Sequence, residues 1–243
     1  MIICARPNWR IPFEENILIF KKLGFKHTRF DLKFVPKDKK HQCMDVFKEY
    51  YDVAKDAGMD FVEFHSFAAR DIDSFKRKSK LELEMMKLCG AKVISQHLTD
   101  ELMKYPDAIN AVIERYKDAG ISFCVENLLR DMCFSTLEDV DAILSKLPDA
   151  CIAFDLGHAM LTGIDLCDFY DKYKEKIKVI HLHDVVETDH SVPFTGILRK
   201  SPFISRLKEF KGVVVLEIRC HTPEEIAKNF KEAQQNIEKF LLK

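Results

Sequence analysis

A beat recurs along this chain: a helical segment ends in glycine, and the chain runs directly into an apolar, β-branched or aromatic stretch. It reads KKLGFKHTRF (21 to 30), KDAGMDFVEF (55 to 64), KLCGAKVISQ (87 to 96) and KDAGISFCVE (117 to 126). Glycine just past a helix supplies the left-handed cap, and the residues after it favour strand. LPDACIAFD (147 to 155), KEKIKVIHLH (174 to 183) and FKGVVVLEI (210 to 218) continue the pattern without always needing glycine. With IICA at 2 to 5, strands are expected near 2, 27, 60, 91, 121, 151, 177 and 213, giving eight units of about 30 residues. One such unit cannot bury its own apolar face, so the units must stack. Alternating strands and helices call for a parallel sheet. Eight of them in 243 residues point to a closed (β/α)8 TIM barrel, with 1–243 forming one domain.

The helices between the strands carry apolar stripes at helical spacing. DVFKEYYDVAKDAG (45 to 58) sets Val46, Tyr50, Val53 and Ala57 on one side, and AINAVIERYKDAG (108 to 120) does so with Ile109, Val112, Ile113 and Tyr116. The first strand and the helix after 196 are the least marked elements. The longest irregular stretch, residues 184 to 202, follows the seventh strand, and His190, Pro193 and Gly196 within it favour an ordered loop. KDKKHQ (37 to 42) reads as a solvated loop and KRKSK (76 to 80) as the exposed face of the third helix.

In such a barrel the chemistry sits at the carboxyl ends of the strands. Those ends are unusually polar here: Glu63 and His65, His97, Glu126, Asp155, His181 and His183, and Glu217. Period-two alternation puts Cys124 with Glu126, Val179 with His181 and His183, and Val215 with Glu217 on shared faces, so several strands can each aim a polar residue at the axis. Taken singly, a strand-end histidine is more often a hydrogen-bonded structural residue than a ligand, and Glu63 could simply pair with Arg29. Taken together, buried carboxylates would repel one another and lose their hydration, and a divalent cation resolves both costs. His27, His41 and His221 fall outside this set.

Composition narrows the remaining classes. A net charge of -1 gives no general push toward nucleic acid or membrane, although it leaves room for a local basic groove. Eight cysteines without a CxxC pair read as structural thiols of a reducing compartment. No basic and apolar leader opens the chain and no run approaches the roughly 20 apolar residues of a membrane span, so a cytoplasmic protein is expected.

The order FVEFH, ISQH, CVEN, FDLGH, VIHLHD, an H-x-x-P-x-x-G stretch and VLEI resembles the xylose-isomerase-like TIM-barrel superfamily. That group includes sugar phosphate isomerases and epimerases and the endonuclease IV nucleases. The resemblance runs from about residue 20 onward and is most specific at CVENL (124 to 128), AFDLGHA (153 to 159) and IHLHD (180 to 184).

For the isomerase branch it implies that Glu126, Asp155, His181 and Glu217 bind one divalent ion, Mn, Mg, Co or Zn, with His158 contacting substrate. The cation would polarise neighbouring carbonyl and hydroxyl oxygens and stabilise an enediolate, while Glu126 and Glu217 remove and return the proton. His65, His97, His183, His190 and Arg219 complete the expected substrate contacts, and Arg219 or Arg199 could meet a phosphate.

For the nuclease branch the resemblance implies three zinc ions on a larger set that adds His65, His97, His158 and His190. Two positions depart from that pattern. Thr188 stands where an aspartate is expected, with Asp189 adjacent, and Phe194 replaces the first glycine of the loop. A DNA binder would also need basic loops, for which Arg70, Arg130 and Arg199 are the candidates. The expected function is therefore a metal-dependent isomerase or epimerase of a sugar, sugar phosphate or related hydroxy-carbonyl compound. The alternatives are an abasic-site nuclease and a non-catalytic barrel that binds a small ligand.

Overall fold

The computed structural model describes residues 1–66, 69–129 and 134–242. Eight parallel strands close into a barrel in chain order: β1 (Ile2–Ala5), β2 (His27–Asp31), β3 (Asp60–Ser66), β4 (Val93–Gln96), β5 (Ser122–Glu126), β6 (Cys151–Asp155), β7 (Ile177–Leu182) and β8 (Val213–Leu216), with β1 pairing β8. Around them lie α1 (Phe13–Lys22), α2 (Cys43–Asp56), α3 (Ile72–Cys89), α4 (Pro106–Asp118), α5 (Leu137–Lys146), α6 (Leu156–Thr162), α7 (Leu166–Tyr173), α8 (Phe203–Glu209) and α9 (Pro223–Phe240). The expected first strand is present. The helix expected after 196 is a short 3-10 turn, Ile197–Lys200, followed by α8.

Gly24, Gly58, Gly90 and Gly120 all adopt positive φ, between 68° and 85°, so the glycines of the recurring beat do terminate helices in the left-handed conformation. The stripe on α4 is buried as expected. On α2 the inner face is rotated, with Val46, Phe47 and Ala54 buried and Tyr50, Val53 and Ala57 at its margins. Phe47 turns inward because it meets an aromatic cluster of Phe30, Phe61 and Phe64 on β2 and β3, at ring separations of 4.9 to 5.8 Å. KDKKHQ forms an exposed 3-10 segment instead of a loop. Within KRKSK, Ser79 is buried and Lys78 half-buried, so only Lys76, Arg77 and Lys80 are on the open face.

Two packed layers surround the strands' two faces. Side chains facing the helices form the large outer core, while Cys4, Val93, Cys124, Ala153, Val179, Val213 and Val215 form a smaller cluster inside the barrel. The next inward positions along these strands are Ser95, Glu126, Asp155, His181 and Glu217, so the apolar plug supports a polar layer at the carboxyl ends. Two β-bulges set this phase. Val62 on β3 and Lys178 on β7 are extra residues opposite their partner strands. Strict alternation would place Ile177 inside with Val179; the bulge lets Ile177 join the outer core while Val179 stays within. Arg130 and Cys133 lie outside the described residues, and the seven described cysteines are all free. Among the described residues no helix is long and apolar enough to cross a membrane.

One buried acid lies in α3, away from the axis. Glu82 is 1% exposed and accepts a hydrogen bond from the Ser66 hydroxyl at 2.9 Å. Burial pushes its carboxyl up to about 7, against the opposing pull of Lys78 and the Ser66 hydrogen bond. A folded-state value raised above the unfolded one means that the folded chain holds this proton more tightly. Its stabilising contribution is present below the unfolded carboxylate value and is lost as pH rises through about 7. Glu82→Gln is therefore expected to stabilise the protein progressively over that window, by on the order of 3 kcal/mol above it. Urea unfolding of both proteins across the range checks this, and a pH-independent difference would contradict it.

Candidate metal centre

The polar residues at the strand ends converge. His181 of β7 is fully buried, and its Nε2 lies 2.9 Å from Glu63 Oε1, which also accepts a hydrogen bond from Ser95 Oγ. With Nε2 anchored, Nδ1 turns to three carboxylates: Glu126 Oε2 at 3.4 Å, Glu217 Oε1 at 3.4 Å and Asp155 Oδ2 at 3.8 Å. It makes no hydrogen bond there. A buried imidazole nitrogen facing three carboxylates, with its other nitrogen oriented by a fourth, has the geometry of a metal-ligating histidine and its supporting carboxylate. Burial disfavours the imidazolium, but Glu126, Glu217 and Glu63 outweigh it and hold His181 well above the ordinary histidine value. A cation bound here would compete with a proton for the same atom.

Each carboxylate has different neighbours. Glu126 Oε2 lies 3.0 Å from His65 Nε2 and 3.2 Å from His97 Nε2. Burial raises its proton affinity, yet His97, His181 and His65 draw it well below the usual carboxylate range. Glu217 meets guanidiniums instead: Arg29 Nη1 at Oε1 and Arg6 Nη1 at Oε2, the latter at 3.2 Å. Against the effect of burial, Arg29 and Arg6 hold Glu217 well below the usual carboxylate range. Asp155 caps α6 by accepting the His158 amide at 2.7 Å, which fixes His158 beside it, and both Asp155 oxygens face His183 Nε2 at 2.9 and 3.1 Å. Asn127 ties Asp155 from behind, donating to its carbonyl at 2.9 Å and accepting its amide at 2.7 Å.

The remaining imidazoles ring this centre at different depths. His65 and His97 join Glu126 in one group of converging ligand atoms, His65 joins His181 and Glu217 in a second, and Glu126 joins Asp155 and His158 in a third. His158 Nδ1 lies 3.0 Å from the Asn127 carbonyl, to which it donates. His190 Nε2 stands 3.3 Å from Glu217 Oε2, and its Nδ1 lies 2.9 Å from Asp189, whose other oxygen binds Arg219 at 2.6 Å. Burial lowers the His190 value, but the Asp189 and Glu217 contacts prevail and raise it to about 9. His190 in turn draws Asp189 down to about 2.

His183 departs from its expected place among the substrate contacts. It is fully buried, its Nε2 binds Asp155, and its Nδ1 accepts the His190 amide at 2.8 Å. Both nitrogens are used within the protein, so its place is behind Asp155. A Cβ on Gly157 would meet the His183 ring at 1.9 Å. Gly157→Ala is expected to cost about 1–3 kcal/mol and, by displacing the support of Asp155, to weaken metal binding by roughly 10–100-fold. Competitive chelator titration reads the second effect, and unchanged affinity would show that His183 does not orient Asp155.

The long loop after β7 is held by a residue that strand-end reasoning passed over. Asp184 is fully buried and accepts the amides of Val185 at 2.8 Å, Gly196 at 2.8 Å and Leu198 at 3.0 Å. Phe194, standing where the family loop has glycine, adopts φ 64° and stacks on Phe240 at 4.9 Å. The glycine-like turn survives with a side chain in it because the ring is buried against α9. Arg29, expected only as a possible partner of Glu63, stands 3.7 Å from it and also binds Glu217, while Ser95 was missed as a site residue. Arg199 is exposed on the 3-10 turn. His27 lies at the start of β2, His41 is exposed, and His221 lines a cavity at the barrel mouth beside Arg219.

The sequence model described as "Xylose isomerase-like TIM barrel" matches residues 30–240. The chain belongs to the xylose isomerase-like TIM-barrel family. The probable 3-DHS dehydratase AsbF from Bacillus anthracis is 13% identical, covering 97% of this chain and 99% of its own, with a TM-score of 0.77. The zinc-bound IolI protein is 18% identical over 99% of each chain, with a TM-score of 0.76. The 3-keto-D-glucoside 4-epimerase YcjR from E. coli is 16% identical over 98% of this chain and 99% of its own, also at 0.76. At these identities the likeness establishes the fold. No curated protein matches the chain.

Proposed function

We propose that the protein is a divalent-metal-dependent isomerase or epimerase of a sugar or related hydroxy-carbonyl compound, with Glu126, Asp155, His181 and Glu217 as the ligand set. The observation that carries this reading is the buried His181 Nδ1, without a hydrogen bond and facing three carboxylates at 3.4 to 3.8 Å. Three oxygen donors and one imidazole suit Mn²⁺, Mg²⁺, Co²⁺ or Zn²⁺. A bound cation supplies Lewis-acid polarisation of adjacent substrate carbonyl and hydroxyl oxygens.

The chain's own residues do the rest. Glu126 and Glu217, from opposite parts of the barrel wall, take and return the proton of the carbon between those oxygens. They are unequal bases. Of the two, Glu217 is the one bound by guanidiniums, Arg29 and Arg6, whose charge is permanent, whereas Glu126 meets the imidazoles of His65, His97 and His181. Glu126 is accordingly the stronger proton acceptor and Glu217 the more firmly placed one. His158, held by the Asn127 carbonyl, is placed to meet a substrate hydroxyl, and Asp155 is positioned by His183 and Asn127.

The collected imidazoles favour one second reading. His65 and His97 converge with Glu126, and His158 with Glu126 and Asp155, as a multinuclear phosphodiesterase would require. Elemental analysis of the purified protein, with an anomalous-scattering map, separates the two. One ion at the four-ligand set supports the isomerase. Two or three zinc ions engaging His65, His97, His158 and His190 favour the nuclease, and no ion after reconstitution leaves a ligand-binding barrel. Since a proton competes for His181, affinity is expected to rise with pH, with proton release on binding measurable in a weakly buffered titration.

A further inference from the structure

Beside the barrel mouth lies a second space that the metal centre does not use. A cavity of about 900 Å³ opens between the segment after β2, the start of α2 and the first turns of α3. Among the described residues its walls carry six cations, Lys33, Lys37, Lys40, Arg70, Arg77 and Lys78, and no acid. In a chain with net charge -1 this is a strong local excess. The apolar part of the lining comes from Leu32, Val35 and Leu81, with Trp9 at the edge.

The cavity and the metal centre share a wall. His65 lines the cavity, and its Nε2 lies 3.0 Å from Glu126 of the ligand set. An occupant of the basic space therefore lies against the same imidazole that meets Glu126. Among the described residues none of Lys37, Lys40 and Arg70 is ion-paired. Lys33 and Lys78 are partly desolvated, and burial lowers both from the ordinary lysine value although Asp31 opposes it. Of the nearby acids, Asp31 under Lys33 and Lys78 and Glu82 beside Lys78 are buried, while the exposed Asp71 accepts hydrogen bonds from Ser74 and acts on Arg77; none of the three lines the space.

The geometry points to a substrate that carries a phosphate, seated among Lys37, Arg70, Arg77 and their neighbours while its hydroxy-carbonyl end reaches the metal centre. This inference rests on the isomerase reading for the identity of the reacting end, but not for the anion site. Two guanidinium forks and several ammoniums match a dianion better than a lone carboxylate. A cavity of this size also fits a small molecule; a duplex needs an extended basic surface. The expected phosphate partner is thus not Arg219, which Asp189 already holds at 2.6 Å.

Calorimetric titration with inorganic phosphate tests the site without requiring turnover. Saturable binding is expected, weakening steeply with salt and by at least about tenfold in Arg70→Gln/Arg77→Gln. Asp155→Asn, which removes the charge of a proposed metal ligand and so weakens the hold on the ion, is expected to keep it. Absence of binding overturns the inference, as does phosphate binding that Asp155→Asn abolishes and the arginine pair leaves unchanged, because that phosphate would sit on the metal. Acetate binding as tightly as phosphate would overturn the dianion assignment. A short DNA duplex that binds through the same arginines and is not displaced by phosphate would replace it with a nucleic-acid site. A chain that binds phosphate as expected but exchanges no sugar C–H proton leaves the anion site standing and removes the isomerase reading.

Discussion

Glu126→Gln and Glu217→Gln each lower the exchange of the substrate's C–H proton with solvent by roughly 10²–10⁴-fold, the usual contribution of a positioned general base. Both residues are also proposed ligands, so metal content must be measured on each variant; an amide keeps one oxygen donor, and the loss is assigned to proton transfer only where the ion is retained. Stability separates the two variants. Around Glu126 stand His65, which burial already holds well below the ordinary histidine value, and His181, which can give up its proton when the carboxylate charge is removed. Glu217 shares His181 and also meets His190, but of the two carboxylates it is the one bound by guanidiniums, Arg29 and Arg6, whose charge cannot be lost. Thermal unfolding should therefore change little in Glu126→Gln and fall clearly in Glu217→Gln. Wild-type exchange in either protein would rule out the two-carboxylate mechanism.

Arg29→Met should be the most destabilising of the substitutions considered. Arg29 is 1% exposed, its Nη1 binds Glu217, and it stands 3.7 Å from Glu63, which is fully buried. Removing the guanidinium leaves two buried carboxylates short of their countercharge, a change that costs about 3–5 kcal/mol when one partner of a buried pair is lost. The effect should be largest in metal-free protein, where no cation shares the load. Adding Glu217→Gln to Arg29→Met should recover part of it, since both halves of the pair are then neutral. Urea unfolding of the two single variants and the double variant provides the cycle. Strict additivity would mean that Arg29 and Glu217 do not stabilise each other.

Strand ends were legible because inward residues recur every second position whatever the rest of the chain does. Glu126 follows Cys124 on β5 and Glu217 follows Val215 on β8, and the structure brings Glu126, Asp155, His181 and Glu217 together. Depth was not legible. His181 and His183 share one face of β7, yet one aims a nitrogen at the three carboxylates and the other supports Asp155 from behind. Sequence spacing assigns a face; it does not say which nitrogen meets which oxygen. The α2 stripe was misplaced for a related reason, because the aromatic rings of β2 and β3 decide which side of the helix is buried.

By itself, then, the amino-acid order determined the eight-unit barrel, the glycine-terminated helices and the set of strand-end acids and imidazoles, because these follow from periodicities of two and 3.6 residues and from local caps. Tertiary structure alone decided three things. It set the phase of β3 and β7, through bulges at Val62 and Lys178. It introduced Arg29 as the countercharge of Glu217, across 188 residues of sequence. It also gathered Lys37 before α2 and Arg70 and Arg77 around α3 into one basic cavity beside His65. Each depends on where separate strands and helices come to rest against one another, which no local pattern encodes.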